Sequence, residues 1–278
     1  MKLKLFVLVC AMALGIGAMR AEGGICGHSV SWNLNDGVLT ISGSGDMMNW
    51  ANVMYVPWYN LRKTITTIKV EKGITSIGNE AFRDCQNVET VQLPNSLTRI
   101  GSYAFCFCGK VRSLKIPDKV TKIGKGAFEG CKSLTSVTIP KGINIIDDYT
   151  FNDCESLKSV KLPKGLLVVG EWAFQDCASL ASISLPKSVY RINSYAFNRC
   201  ASLKSITVPE GVEHIESGTF WHCESLRSVT LPSTLKGISS YAFAECKALT
   251  TIVIPAGVKQ ISDYAFEDCK DVKIKFGK

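Results

Sequence analysis

The chain has 278 residues, 46% of them hydrophobic and 20% charged, with a formal net charge of +8. That length allows one large domain or two ordinary ones. Lys2, Lys4 and Arg20 lie in the first 21 residues, which hold no acid, so residues 22–278 carry only +5 (8 − 3). So mild a charge, with no dense Lys/Arg run along the sequence, argues against a nucleic-acid partner.

In chain order, Lys2 and Lys4 precede an apolar stretch from Leu5 to Ala18, with small residues at Ala18 and Ala21. This is the pattern of a secretory signal peptide over residues 1–21. The stretch is short for a membrane span and no second one follows. The mature protein is therefore expected to be secreted or at the cell surface, without a membrane span.

Residues 22–62 read as a capping segment. Val30–Leu34 and Val38–Ile41 flank Asn35-Asp36-Gly37, a strong β-hairpin signal. Met47, Met48, Trp50, Met54, Pro57, Trp58 and Tyr59 follow, and are expected to plug the first coil of what comes next.

Residues 63–278 are governed by a period of 23. Nine cysteines keep it from Cys85 to Cys269, nine phenylalanines from Phe82 to Phe266, and eight prolines from Pro94 to Pro255. A fixed period of this length means a repeat solenoid, each unit stacked on copies of itself. Counting each Cys as position 1, the coil Cys131–Asp153 puts apolar residues at 4, 7, 9, 13, 16 and 21. Positions 6 to 9 alternate as a half-buried strand does. Pro at position 10 ends that strand, having no N–H to give. Positions 13 to 16 form a second extended piece. Positions 17 to 23 suit one tight helical turn. Nine parallel coils are expected, with a core roughly 43 Å long at about 4.8 Å per coil. After Cys269 the period fails, and 271–276 reads as a charged edge strand.

The repeat C-x-x-L-x-x-V/I-x-L/I-P-x-x-L/V-x-x-I-G-x-x-A-F resembles the leucine-rich repeats of the BspA-like (Treponema pallidum type) surface proteins. The leader, with Cys26-Gly27, Trp32-x-Leu34, Gly37-x-Leu39-x-Ile41-Ser42-Gly43-x-Gly45 and Pro57-Trp58, is similar to the segment that often precedes such repeats. The resemblance covers about residues 25–276. It implies a right-handed, leucine-rich-repeat-like stack with parallel β-strands, secreted or surface-attached and most often bacterial. It also implies adhesion: binding of host extracellular matrix, plasma or cell-surface macromolecules. It carries over no active site.

Catalytic signals are absent from the sequence: there is no G-x-S-x-G, P-loop or H-E-x-x-H. No enzyme activity, cofactor or metal is expected. The cysteine ladder reads as a buried column of small thiols. Its Cβ atoms run parallel at coil spacing, wider than the ~3.8 Å a disulfide prefers, and a line of ligands does not converge on zinc. Cys26 and Cys106 stand outside the ladder, and an oxidising compartment leaves pairing open for either.

The surface stripes carry more. Position 6 is always Ser or Thr, a hydroxyl column that β-compatible packing already explains. Arg112 and Lys158 at position 5, with Lys115 and Lys161 at position 8, make that face mildly basic, which either favours acidic partners or serves as solubilising charge alone. Position 19 is aromatic in six repeats, for packing between coils. Trp221, His222 and Phe107 are not explained by the period, which makes them binding candidates. The leading expectation is a monomeric, adhesin-like binding protein. The alternatives are a glycan-binding module, with Trp221 stacking on sugar rings, or a structural spacer with no ligand.

Overall fold

The computed structural model describes residues 22–270 and 272–277. The signal peptide read over 1–21 lies outside them. The repeats form a parallel solenoid of 23-residue coils. Its first strand ladder runs through positions 6 to 8: Ser136–Thr138 pairs with Ser159–Lys161, and Ser205–Thr207 with Ser228–Thr230. A second ladder runs through positions 15 and 16, with Ile146 opposite Val169 and Val169 opposite Ile192. Every partner in these pairs is 23 residues away, so sequence period and structural register coincide.

The third side differs from expectation. Positions 17 to 23 form overlapping β-turns, not one helical turn. Ala127, Glu129 and Cys131 each donate an N–H to the carbonyl three residues back, at 3.1–3.2 Å. The alternating residues Gly126, Phe128 and Gly130 donate instead to Asp148, Thr150 and Asn152 of the next coil, at 2.8–3.0 Å. A continued helical turn would direct these N–H groups back along their own coil. Alternation frees every second one for the neighbouring coil.

This geometry requires a left-handed residue third in the first and last turns, as type II turns do. Those residues are positions 19 and 23. Tyr103, Tyr149 and Trp172 have φ of 55–59°, and Phe107, Asp153 and His222 of 56–58°. Each non-glycine there costs about 1–2 kcal/mol. The bond it makes to the next coil, and the ring packing described below, offset that cost.

Inside, the phenylalanines form one column. Phe174 is fully buried, with Phe151 and Phe197 at centroid distances of 5.5 and 5.4 Å and nearly parallel to it. Beside them the thiols make a second column. Cys154 Sγ lies 3.2 Å from the Phe128 carbonyl oxygen, and Cys177 Sγ 3.2 Å from that of Phe151. All eleven cysteines of the described residues are free.

At the N-terminal end, β1 (Glu22–Gly27), β2 (Val30–Asn35) and β3 (Val38–Gly43) form an antiparallel meander. The hairpin turn uses Asp36 and Gly37 at φ 47° and 77°, the two left-handed residues of a type I′ turn. β3 then pairs in parallel with Thr67–Val70, the first coil. Trp58, 1% exposed, stacks on Phe82 at 5.7 Å and donates Nε1–H to the Ala81 carbonyl at 2.8 Å. Trp32 and Trp50 meet it edge-on, each at 5.6 Å. Met47 is buried in this plug, whereas Met48, Met54 and Pro57 are exposed and take no part in it. The aromatic side chains already fill the end of the coil.

At the other end, Lys273–Phe276 pairs with Thr251–Ile254 at an offset of 22 (273 − 251), one residue short of the period. The shift puts Ile274 opposite the buried Ile252, which preserves the inward face. No further coil covers this strand among the described residues, and Phe276 is 72% exposed. No helix of the described residues is long and apolar enough to cross a membrane.

Replacing Phe174 by Ala removes a ring packed on both faces. It should destabilise the fold by roughly 3–5 kcal/mol, read from urea denaturation midpoints. A loss under 1 kcal/mol would show that the column does not carry the stack.

Candidate functional site

The first strand ladder presents the cations. Positions 5, 6 and 8 point outward while 4 and 7 point in, so Arg112, Lys115, Lys158 and Lys161 are all exposed on one face. Lys158 and Lys161 flank Ser159, and Arg112 and Lys115 occupy the equivalent places two coils earlier (158 − 112 = 46). The structure adds cations that the sequence reading passed over. Lys141, Lys164 and Lys187 hold position 11 on successive coils, in the turn after the strand, and all are exposed. Lys161 and Lys164 border a shallow cleft of about 600 Å³ with Ser136, Ser159 and Ser184.

None of these seven cations is in an ion pair among the described residues. Elsewhere the molecule does pair charges between coils. Lys132 bridges Asp153 at 3.2 Å and Glu155 at 2.8 Å, and Lys247 meets Glu224 at 2.9 Å. Exposed cations without an ion pair also occur elsewhere, at Lys72, Lys119, Lys122, Lys204 and Arg227 among others, but these seven line the first ladder and the turn after it on the middle coils.

Trp221, His222 and Phe107 lie on the turn edge, away from these cations. Tyr149 stacks on Trp172 at 6.1 Å, and Trp172 on Tyr195 at 4.2 Å. The next coil has Gly218 at position 19 and no ring to offer. Trp221, from position 22, leans into that gap, 6.4 Å from Tyr195 and 5.7 Å from Tyr241. Tyr264 continues the column at 5.7 Å, and His222 stacks on Trp221 at 5.0 Å. Trp221 is half-buried.

Phe107 covers Gly130 one coil on: a Cβ at residue 130 would lie 2.3 Å from the Phe107 ring. Phe107 and His222 share position 23 but stand five coils apart (222 − 107 = 115), so the structure does not bring them together.

A polar ladder lies beside this edge at position 22. Asn152 donates to Glu129 at 3.0 Å, Gln175 to Asn152 at 3.2 Å and Asn198 to Gln175 at 2.7 Å. It stops at Trp221, and the Asn198 Oδ1 is left buried without a partner. Cys106 Sγ sits 3.8 Å from Glu129 at the other end.

The thiols are poorly placed for chemistry. Burial pushes Cys26, Cys85 and Cys131 up to about 12. Burial, reinforced by Glu129, raises Cys106 as well. Cys269, half-buried at the open end, is held below its ordinary value by the neighbouring Cys246 thiol. The described residues contain no group of three metal-binding side chains.

The BspA type Leucine rich repeat region family matches residues 58–181 and 144–273, and the chain belongs to that family. Among curated proteins, none matches the sequence. Solved structures do. A leucine rich cell surface protein from Faecalibacterium prausnitzii is 23% identical over 94% of this chain and 96% of its own, with a TM-score of 0.54. The pneumococcal vaccine antigen PcpA is 16% identical over 91% and 81%, with a TM-score of 0.50. The leucine-rich repeat protein of T. pallidum is 24% identical over 80% and 88%, at 0.47. The first two likenesses establish the fold. The family is a repeat scaffold, and no enzymatic family is matched.

The thiol column generates a pH prediction. A folded thiol at about 12 against an unfolded one near 9 stabilises the native state fully below pH 9. Above that, the unfolded chain binds fewer protons than the folded one, so stability falls as pH rises toward 12. By pH 10 the loss is about 1.4 kcal/mol for each such thiol. Under reducing conditions the urea midpoint should drop between pH 8 and pH 10, and Cys131→Ala should make the drop smaller. Identical drops in the two proteins would contradict a buried, protonated Cys131.

Proposed function

We propose that this chain is an exported, adhesin-like leucine-rich repeat protein. It binds acidic macromolecules of the host matrix, plasma or a cell surface across its basic sheet face. In this reading residues 1–21 are removed on export, 22–62 cap the stack, and 63–278 present the binding surface. The protein acts as a monomer and performs no catalysis.

The observation that carries the reading is the set of seven exposed, unpaired cations on the middle coils: Arg112, Lys115, Lys141, Lys158, Lys161, Lys164 and Lys187. Like charges on adjacent strands repel one another. Here they contribute nothing to stability that the interior does not already supply. A face of one sign steers an oppositely charged partner and speeds its encounter. The hydroxyls between the lysines accept and donate hydrogen bonds once the partner is seated. The Faecalibacterium relative is a cell surface protein, which agrees with this location. The half-buried Trp221, its neighbour His222 and the distant Phe107 serve as secondary contacts along the turn edge.

Reversing Lys115, Lys158 and Lys161 to Glu should abolish binding to acidic matrix and plasma proteins immobilised on a sensor. The parent protein's binding should weaken as salt rises from 50 to 300 mM. The variant should keep the parent's melting temperature within a few degrees. Unchanged binding by the triple variant would sink the basic-face reading.

A further inference from the structure

The second strand ladder carries a different surface. At positions 14 and 15 most coils place Thr, Asn, Lys, Arg or Gln. In the middle coils these give way to exposed apolar side chains on three successive coils: Ile145, Leu167 and Tyr190, which are 46%, 36% and 54% exposed. Backbone bonds from Tyr190 N–H to the Leu167 carbonyl and from Leu167 N–H to that of Asn144 hold these coils in register. Leu167 and Tyr190 share position 14 on adjacent coils, with Ile145 at position 15 on the coil before, and this open shelf ends in the Tyr190 ring.

Next to that ring the surface turns concave. A cleft of about 440 Å³ runs past Arg191, Glu213 and His214, and a second of about 500 Å³ continues from His214 past Ser217, Ser240 and Ser262. His214 lines both, so the two clefts adjoin at its side chain and make up a two-part groove. Where they adjoin, the repeat breaks. Position 15 is glycine in one repeat alone, at Gly237. A Cβ there would fall 2.9 Å from His214 Nδ1, so the imidazole occupies space that any side chain at 237 would claim. From Tyr190 to Ser262 the groove crosses about three coil spacings, roughly 14 Å.

We infer that this groove is a binding site for a neutral oligosaccharide. The chemistry selects that class. Sugars offer a face of C–H groups and a rim of hydroxyls. The shelf supplies an aromatic platform for the first, and serine, histidine and carboxylate groups supply partners for the second. A polyanion is disfavoured, because Glu213, Glu216 and Asp263 line the groove against Arg191 and the Lys236 that pairs with Glu213, which leaves acid in excess. An apolar peptide is disfavoured by the run of serines. Ser240 and Ser262 already hydrogen-bond each other at 2.9 Å, and Glu213 is held by Lys236. The rim is therefore partly ordered before any ligand arrives, which lowers the ordering cost of binding. The site lies on a different ladder from the basic face and stands without it.

The test titrates the mature protein with a panel of neutral gluco-, galacto- and manno-oligosaccharides, with a sulfated oligosaccharide and an oligolysine as controls. At least one neutral oligosaccharide should bind. Tyr190→Ala should weaken it by about tenfold or more, the scale of losing one aromatic platform. Gly237→Val, which displaces His214, should weaken it as well. The Lys115/Lys158/Lys161 reversal should leave it unchanged. Melting temperatures of both groove variants should match the parent. No binding by any neutral sugar at millimolar concentration would overturn the proposal. Neutral-sugar binding indifferent to Tyr190→Ala, or binding of the oligolysine or sulfated control alone, would overturn it equally.

Discussion

The carbonyl oxygens of eight of the nine repeated phenylalanines, Phe82 through Phe243, each accept twice. Phe151 takes the N–H of Cys154 at 3.3 Å, closing the last turn of its own coil. It also takes the S–H of Cys177, 26 residues on in the next coil, at 3.2 Å. A buried carbonyl has two lone pairs, and satisfying both in the apolar interior avoids a desolvation penalty. The second bond needs a donor that is small, apolar enough to bury and long enough to reach. A thiol meets all three conditions, whereas alanine offers no donor. The bond also ties coil to coil at a fixed offset, which explains why the 23-residue period never slips between Cys85 and Cys269. The stacked rings beside it fill the remaining volume.

The outer surface follows from this interior. Turn N–H groups, carbonyls, thiols and rings hold the coils together, so exposed side chains on the two strand ladders are largely free of structural duty. Charge and shape can change there without disturbing the register. The middle coils use that freedom on the first ladder, where lysines gather unpaired. Later coils use it on the second, where Tyr190, Gly237 and His214 shape a groove. One rigid rod thus offers two surfaces of different chemistry, fixed relative to each other.

Much of this is written in the period. Cys, Phe, Leu and Pro positions specify what points inward, where each strand ends and how the coils align. Asn35-Asp36-Gly37 announces the capping hairpin, and Trp58 its plug. The turn edge is harder to read. Left-handed residues usually signal themselves as glycine, but Tyr149, Asp153 and Trp172 adopt that conformation here. They do so because the neighbouring coil rewards it, which no local sequence signal shows. Trp221 is legible as an exception but not as a member of the aromatic column. It reaches the column from position 22 to fill a gap left by Gly218, an exchange between two positions that the period keeps apart. Lys141, Lys164, Lys187 and Tyr190 are visible in the sequence once positions 11 and 14 are read down the repeats. Their exposure depends on which way the chain turns after each strand, and the alternation of a strand does not extend into those turns.

Native-state amide hydrogen exchange tests the central claim most directly, namely that each coil is held only by its neighbours. Coils bounded on both sides, such as that of Phe174, should exchange slowest. Protection should fall stepwise toward Lys273–Phe276, whose outer edge is open, and the Trp58 plug should keep the first coils well protected. A single uniform protection across all coils, or a terminal strand as slow as the middle, would contradict it.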